Sequence, residues 1–152
     1  MIIEVSDEAK MKDFGKSIGL LLSGGETLEL VGDVGSGKTT LVKGVALGLG
    51  IDEYVQSPSF TINRIYDGRD GIKLSHYDFY RLDSAGIMAN DLKESISNPK
   101  VVTVIEWASI VDGVLPDDRL SINIVAMSEN SRKLDIKTRG EVSSKVIKGL
   151  NV

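Results

Sequence analysis

The chain has 152 residues, 41% hydrophobic and 26% charged, with a net charge of -4 and no cysteine. That length fits one domain around one core, and the lack of cysteine excludes disulfides and thiolate metal sites. The negative balance argues against a broad nucleic-acid surface of its own, no apolar run approaches a bilayer span, and the N-terminus lacks the regions of a signal peptide; a cytoplasmic protein is expected.

Met1–Val5 reads as a strand, and Ser6 as the N-cap of a helix with Asp7 and Glu8 in its first turn, running to about Ser23. Phe14, Ile18 and Leu21/Leu22 form its apolar stripe, and Gly24-Gly25 ends it. A β-type run, Thr27–Val31, leads into Gly32-Asp33-Val34-Gly35-Ser36-Gly37-Lys38-Thr39, which fits G-x-x-x-x-G-K-[ST] without a gap. A helical run follows, with Leu41, Val45 and Leu49 on one face. In that strand-loop-helix context the glycines turn successive backbone N–H groups toward a phosphate, and the helix N-terminus adds partial positive charge. Lys38 supplies a full charge to the phosphates, and Thr39 offers a hydroxyl to Mg2+.

Ser57-Pro58-Ser59-Phe60 is a turn or loop, Thr61–Tyr66 a strand, and Asp67-Gly68-Arg69-Asp70-Gly71 a hairpin turn before the partner strand Ile72–His76. Asp83–Ser97 is expected to be helical, closed by Asn98-Pro99. Val101–Ile105 is a continuous, mostly β-branched run, as in a parallel strand buried on both faces. Arg119–Ala126 and Arg132–Lys137 read as later strands and Glu141–Leu150 as a terminal helix. The expected fold is α/β: a P-loop NTPase three-layer sandwich with a mainly parallel sheet and an added antiparallel hairpin.

Glu106 ends the buried run, where an acid in such folds reaches the Mg2+ shell. At β spacing His76, Asp78 and Tyr80 share one face. Asp78 there orients the attacking water or stands behind the metal ligands. His76, the sole histidine, reads as structural rather than catalytic, and Tyr77 and Phe79 as core. Trp107 either packs or screens the γ-phosphate from water. The hydroxyls of Ser57 and Thr61 serve either as a γ-phosphate switch or in local turn bonding.

No N-K-x-D segment is present to read guanine, so ATP is the expected nucleotide. Asp83-Ser84-Ala85-Gly86 matches D-x-x-G but does not follow a buried apolar strand, and is set aside. A small-molecule kinase is the alternative reading; it would require an arginine-bearing lid, whereas Arg64, Arg69 and Arg81 are scattered.

The phosphate loop, then Ser57-Pro58-Ser59-Phe60-Thr61, then His76-Tyr77-Asp78-Phe79-Tyr80-Arg81-Leu82, then Glu106-Trp107, in this order and spacing, resemble the TsaE (YjeE) family of bacterial ATPases. The resemblance covers nearly the whole chain. It implies an ATPase that takes part in threonylcarbamoyl modification of adenosine 37 in tRNAs that read ANN codons. It implies that Gly35, Ser36, Gly37, Lys38, Thr39 and Thr40, with Asp33 and Val34 in the same loop, hold ATP. It implies that Thr39 and Glu106 bind Mg2+, that Asp78 and Lys38 serve hydrolysis, and that Ser57–Thr61 forms a switch-like loop. By the same resemblance Trp107 lies beside the nucleotide, and Glu8 and Arg132 line its adenine or ribose side. The partners implied are TsaD and TsaB, with tRNA reached only through their complex and no membrane involved. The segment Asp83–Glu94 differs from the Glu-rich helix usual there.

Overall fold

A computed structural model of the chain describes residues 1–58, 61–80, 82 and 86–151. Its strands are β1 (Ile2–Val5), β2 (Thr27–Val31), β3 (Asn63–Asp67), β4 (Lys73–Asp78), β5 (Val101–Glu106), β6 (Leu120–Ala126) and β7 (Arg132–Thr138). Its helices are α1 (Glu8–Leu21), α2 (Lys38–Gly48), α3 (Met88–Ser97) and α4 (Glu141–Gly149). The strands form one sheet in the order β1-β7-β6-β2-β5-β4-β3. Its centre, β6-β2-β5-β4, is parallel. Both edges are antiparallel: the expected hairpin β3–β4 on one side, and β6–β7–β1 on the other.

β5 is buried at every position, as its continuous apolar run requires. Val102 and Val104 face a core shared with Ile18 of α1, Leu41 and Val45 of α2 and Val146 of α4. Ile105 faces a second core with Tyr77, Phe79, Leu92 of α3 and Val111 of a 3-10 helix, Ala108–Val114. The result is three layers, with the sheet between two helical faces. Tyr77 bonds Asp91 across the second core; burial first, and that carboxylate second, push its phenol pKa well up.

Helices α1 and α2 cross on glycine. A Cβ at Gly15 would stand 2.4 Å from the Leu41 carbonyl oxygen, one at Gly19 2.2 Å from that of Val45, and one at Gly44 2.2 Å from that of Lys12. Only hydrogen at these positions lets the two backbones touch. The α1 C-terminus is closed from the hairpin turn, where Arg69 donates to the carbonyls of Gly19, Leu20 and Leu22.

Several boundaries differ from expectation for local reasons. Asp7, not Ser6, is the N-cap of α1, its carboxylate accepting from Lys10 N–H at 2.8 Å; the hydroxyl of Ser6 lies one residue too early to do so. α1 ends at Leu21 instead of near Ser23, because the Glu26 carboxylate takes the N–H groups of Ser23 and Gly24 into a turn. β4 runs on to Asp78 because it keeps pairing with β5 to that point. The helix expected over Asp83–Ser97 is described from Met88; residues 83–85 lie outside the described set. α4 starts at an N-cap glycine, Gly140, and is capped instead by Asp118, which accepts from Val142 and Ser143 N–H and from Ser143 Oγ. Burial opposes the Asp118 charge, but those hydrogen bonds outweigh it and hold the carboxyl below its ordinary range.

Candidate functional site

The loop leaves the carboxyl end of β2, which is flanked by β5 and β6, and enters α2. That is the crevice where open parallel sheets bind ligands. Gly35 and Gly37 have φ of 80° and 108°, a region closed to most side chains. At Gly32 a Cβ would stand 2.6 Å from Ser36 Oγ and 2.9 Å from the Ile124 carbonyl oxygen. The loop therefore needs glycine both for its turn and for its seat against β6. The first N–H groups of α2 have no acceptor within the helix, so they are free to serve an anion.

Lys38 is the first residue of α2 and only 6% exposed. Its ammonium donates to the carbonyls of Gly32 at 2.6 Å and Asp33 at 2.9 Å. It also stands 4.7 Å from the centroid of the Trp107 ring. The indole also meets Tyr80, with ring centroids 4.8 Å apart. Trp107 holds a left-handed backbone, φ 57° and ψ 51°, an uncommon state for a bulky side chain. Such strain persists where packing fixes it, here the Tyr80 ring and the lysine.

Two acids end adjacent strands in register: Asp78 of β4 pairs with Glu106 of β5. Both are buried, at 4% and 3% exposure. Asp78 accepts from Ser57 Oγ at 3.2 Å and from Tyr80 N–H at 2.9 Å. Glu106 Oε2 lies 2.6 Å from His76 Nε2, deep in the sheet.

A cleft of ≈ 500 Å3 gathers these groups, a size suited to a small ligand. It is lined by Glu8, Val34, Gly35, Ser36, Gly37, Lys38, Thr39, Thr40, Ser57, Asp78, Glu106, Trp107 and Arg132, all expected from sequence. Two other expected residues fall elsewhere. Asp33 contributes its carbonyl, which accepts from Lys38 and from Ser36 N–H, and lines a neighbouring groove. Thr61 is not in the lining; its hydroxyl bonds the Asn63 carbonyl, which is the local turn bonding considered above. Ser59 and Phe60 of the switch-like segment lie outside the described residues.

Arg132 lines the cleft, yet its guanidinium is committed to backbone carbonyls: Ser36 at 2.9 Å, Ser128 at 3.0 Å and Ser131 at 2.9 Å. It ties the loop to the β6–β7 turn. Asp7, Met11, Tyr80, Glu129 and Asn130 also line the cleft but were not expected as site residues. Tyr80 sat in the motif already; the rest carried no local signal. Thr40 Oγ1 reaches Glu8 Oε1 at 3.4 Å and links α2 to the start of α1.

A parallel-centred α/β sheet with this loop between a central strand and its helix defines a P-loop protein. The particular family follows from comparison: the model described as "Threonylcarbamoyl adenosine biosynthesis protein TsaE" matches residues 5–134, and the chain belongs to that family. The chain is 36% identical over 123 residues to the tRNA threonylcarbamoyladenosine biosynthesis protein TsaE of Treponema pallidum, covering 81% of this chain and 90% of that one. It is 39% identical over 122 residues to the protein of that name from Borreliella burgdorferi, covering 79% and 87%. The crystal structure of Bacillus subtilis YdiB superposes with a TM-score of 0.80 at 30% identity, covering 97% of this chain and 91% of that one. No helix among the described residues is long and apolar enough to cross a membrane.

Proposed function

We propose that this chain is a Mg2+-dependent ATPase that supports threonylcarbamoyl modification of tRNA, hydrolysing ATP to reset a TsaD–TsaB complex between turnovers in the cytoplasm. Family membership and the names of its relatives support the pathway. One observation carries the hydrolysis: Lys38, Thr39, Asp78 and Glu106 converge on a single cleft at the loop.

The donor set fits Mg2+. That ion takes oxygen ligands, keeps several waters and is held by one or two carboxylates plus substrate phosphates. Thr39 and Glu106 supply a hydroxyl and a buried carboxylate in the cleft. The ion, when bound, neutralises charge developing on the phosphates. The loop N–H groups and Lys38 grip the same phosphates, Lys38 with the one N–H its two carbonyl bonds leave over. The Trp107–Tyr80 pair shields that ammonium from water, which strengthens its field. Asp78, its carboxylate fixed by Ser57 and the Tyr80 N–H, orients the attacking water. The α1 wall (Asp7, Glu8, Met11) and the β6–β7 turn (Glu129, Asn130) take the nucleoside between them. tRNA is met only through the complex, in keeping with the net charge of -4.

Reconstituted modification at limiting TsaD tests the reading. Asp78→Asn is expected to keep ATP-dependent association with TsaD–TsaB but to stop after about one turnover per TsaD. Wild-type turnover by that variant sinks the reset mechanism, and phosphorylation of a metabolite by the wild-type protein would instead establish a kinase.

A further inference from the structure

We propose that His76 is a positioning residue for Glu106, holding its carboxylate by a buried Nε2–H bond so that the second oxygen is presented to the cleft. The inference rests on the reading of Glu106 as a metal-binding acid. His76 is 0% exposed and lies on β4, next to β5, with Nε2 2.6 Å from Glu106 Oε2. Charge-assisted N–H···O bonds are shorter than neutral ones, and this contact lies at the short end of that class. A carboxylate at 3% exposure is costly unless a donor meets it. Among the described residues His76 is the donor that does so.

The direction of the bond follows from the other ring nitrogen. His76 Nδ1 is buried and has no hydrogen-bond partner among the described residues. With the proton on Nε2, Nδ1 is a bare acceptor. With the proton on Nδ1, an N–H donor would be buried unpaired beside a Glu106 forced to carry a proton itself, and orphaned buried N–H groups are the rarer defect. The neutral Nε2–H tautomer donating to an ionised Glu106 is the arrangement that leaves least unsatisfied. Glu106 Oε2 is thereby fixed toward the sheet. The carboxylate is planar, so Oε1 is fixed with it and needs no reorientation when a ligand arrives. This is the role that hydrogen-bond partners of metal-binding carboxylates commonly play.

The chain has one histidine and one tryptophan, so each is a clean probe. In protein carrying isotope-labelled histidine, the imidazole nitrogen spectrum is expected to show Nε2 protonated and Nδ1 bare, with the Nε2 proton slow to exchange. In Glu106→Ala that proton is expected to exchange much faster. Trp107 fluorescence then follows ADP binding as a function of Mg2+. His76→Phe, which fills the space without a donor, is expected to raise the Mg2+ needed for half-maximal binding about 10- to 100-fold and to lower kcat alike. Its ADP binding without Mg2+ stays unchanged. His76→Gln, whose amide N–H lies near the Nε2 position, restores most of the Mg2+ response; His76→Asn, whose shorter side chain does not reach it, does not. A proton found on Nδ1 overturns the inference. So does a Mg2+ response that is the same in wild type, His76→Gln and His76→Asn, the pair that decides should the phenylalanine variant not fold. A purely structural histidine would shift melting in all variants and leave the Mg2+ response untouched. Failure of wild-type protein to hydrolyse ATP would instead strike the proposed function, while the imidazole spectrum still decides the hydrogen bond.

Discussion

Gly44→Ala tests the packing that holds the cleft together. Gly44 lies in α2 against α1, and an added Cβ would sit 2.2 Å from the Lys12 carbonyl oxygen and 2.9 Å from Gly15 Cα. Both obstacles are backbone atoms, so no side chain can swing aside. Ordinary contact would need α1 to retreat by roughly 1 Å, and gaps of that size forfeit a quarter to a half of each van der Waals well they open. The apolar face of α1, with Met11, Phe14 and Ile18 buried, would loosen along its length. Overpacking of this kind costs about 1–3 kcal/mol, and the backbone-to-backbone clash places this case at the upper end. Alanine returns about 1 kcal/mol of helix propensity. The expected net loss is about 2 kcal/mol, or about 4–8 °C in melting temperature for a chain of this size. Gly113→Ala, where a Cβ meets nothing within 4 Å, is the control and is expected to change stability by less than about 0.5 kcal/mol. Gly15→Ala should destabilise likewise, and the double variant should lose less than the sum, because the first substitution already separates the helices. ADP affinity should also fall in Gly44→Ala, since Asp7, Glu8 and Met11 move with α1. If Gly44→Ala melts within about 1 °C of wild type, the seam is not as close as described and the argument fails.

Lys38→Ala is expected to abolish Mg-ATP binding with melting nearly unchanged, read by calorimetry; retained hydrolysis would remove the loop from the mechanism. Glu106→Ala should lower turnover far more than Mg2+-free ADP affinity, and equal losses in both would mark the residue as structural. Asp118→Ala should cost about 0.5–2 kcal/mol by uncapping α4. Because the folded-state pKa of Asp118 lies below its ordinary 3.8, that stabilisation is full above pH 3.8 and fades as pH falls through the folded value. The gap in melting temperature between wild type and Asp118→Ala should therefore close in acid, and a gap that widened there would contradict the cap.

What the sequence determined by itself was the loop and its flanks. Gly35 and Gly37 are demanded by the backbone conformation of the loop itself, so that part of the signature is local and was readable without any neighbour. The buried run of β5 was legible for a like reason, since a strand covered on both faces has no polar side to show. Tertiary structure decided which distant groups meet that loop. Asp78 and His76 reach Glu106 only because β4 pairs beside β5 in one particular register. A shift of one residue would have turned both to the other face of the sheet, away from Glu106. The opposite wall comes from the β6–β7 turn, with Arg132 dividing its donors between the backbone of that turn and the backbone of the loop. The resemblance implied a ligand contact for Arg132; which carbonyls lie within reach of its guanidinium is a property of the folded chain. Thr61 and Ser6 show the same limit. A hydroxyl bonds whichever group is near, and periodicity, which reports burial, carries no information about which group that will be.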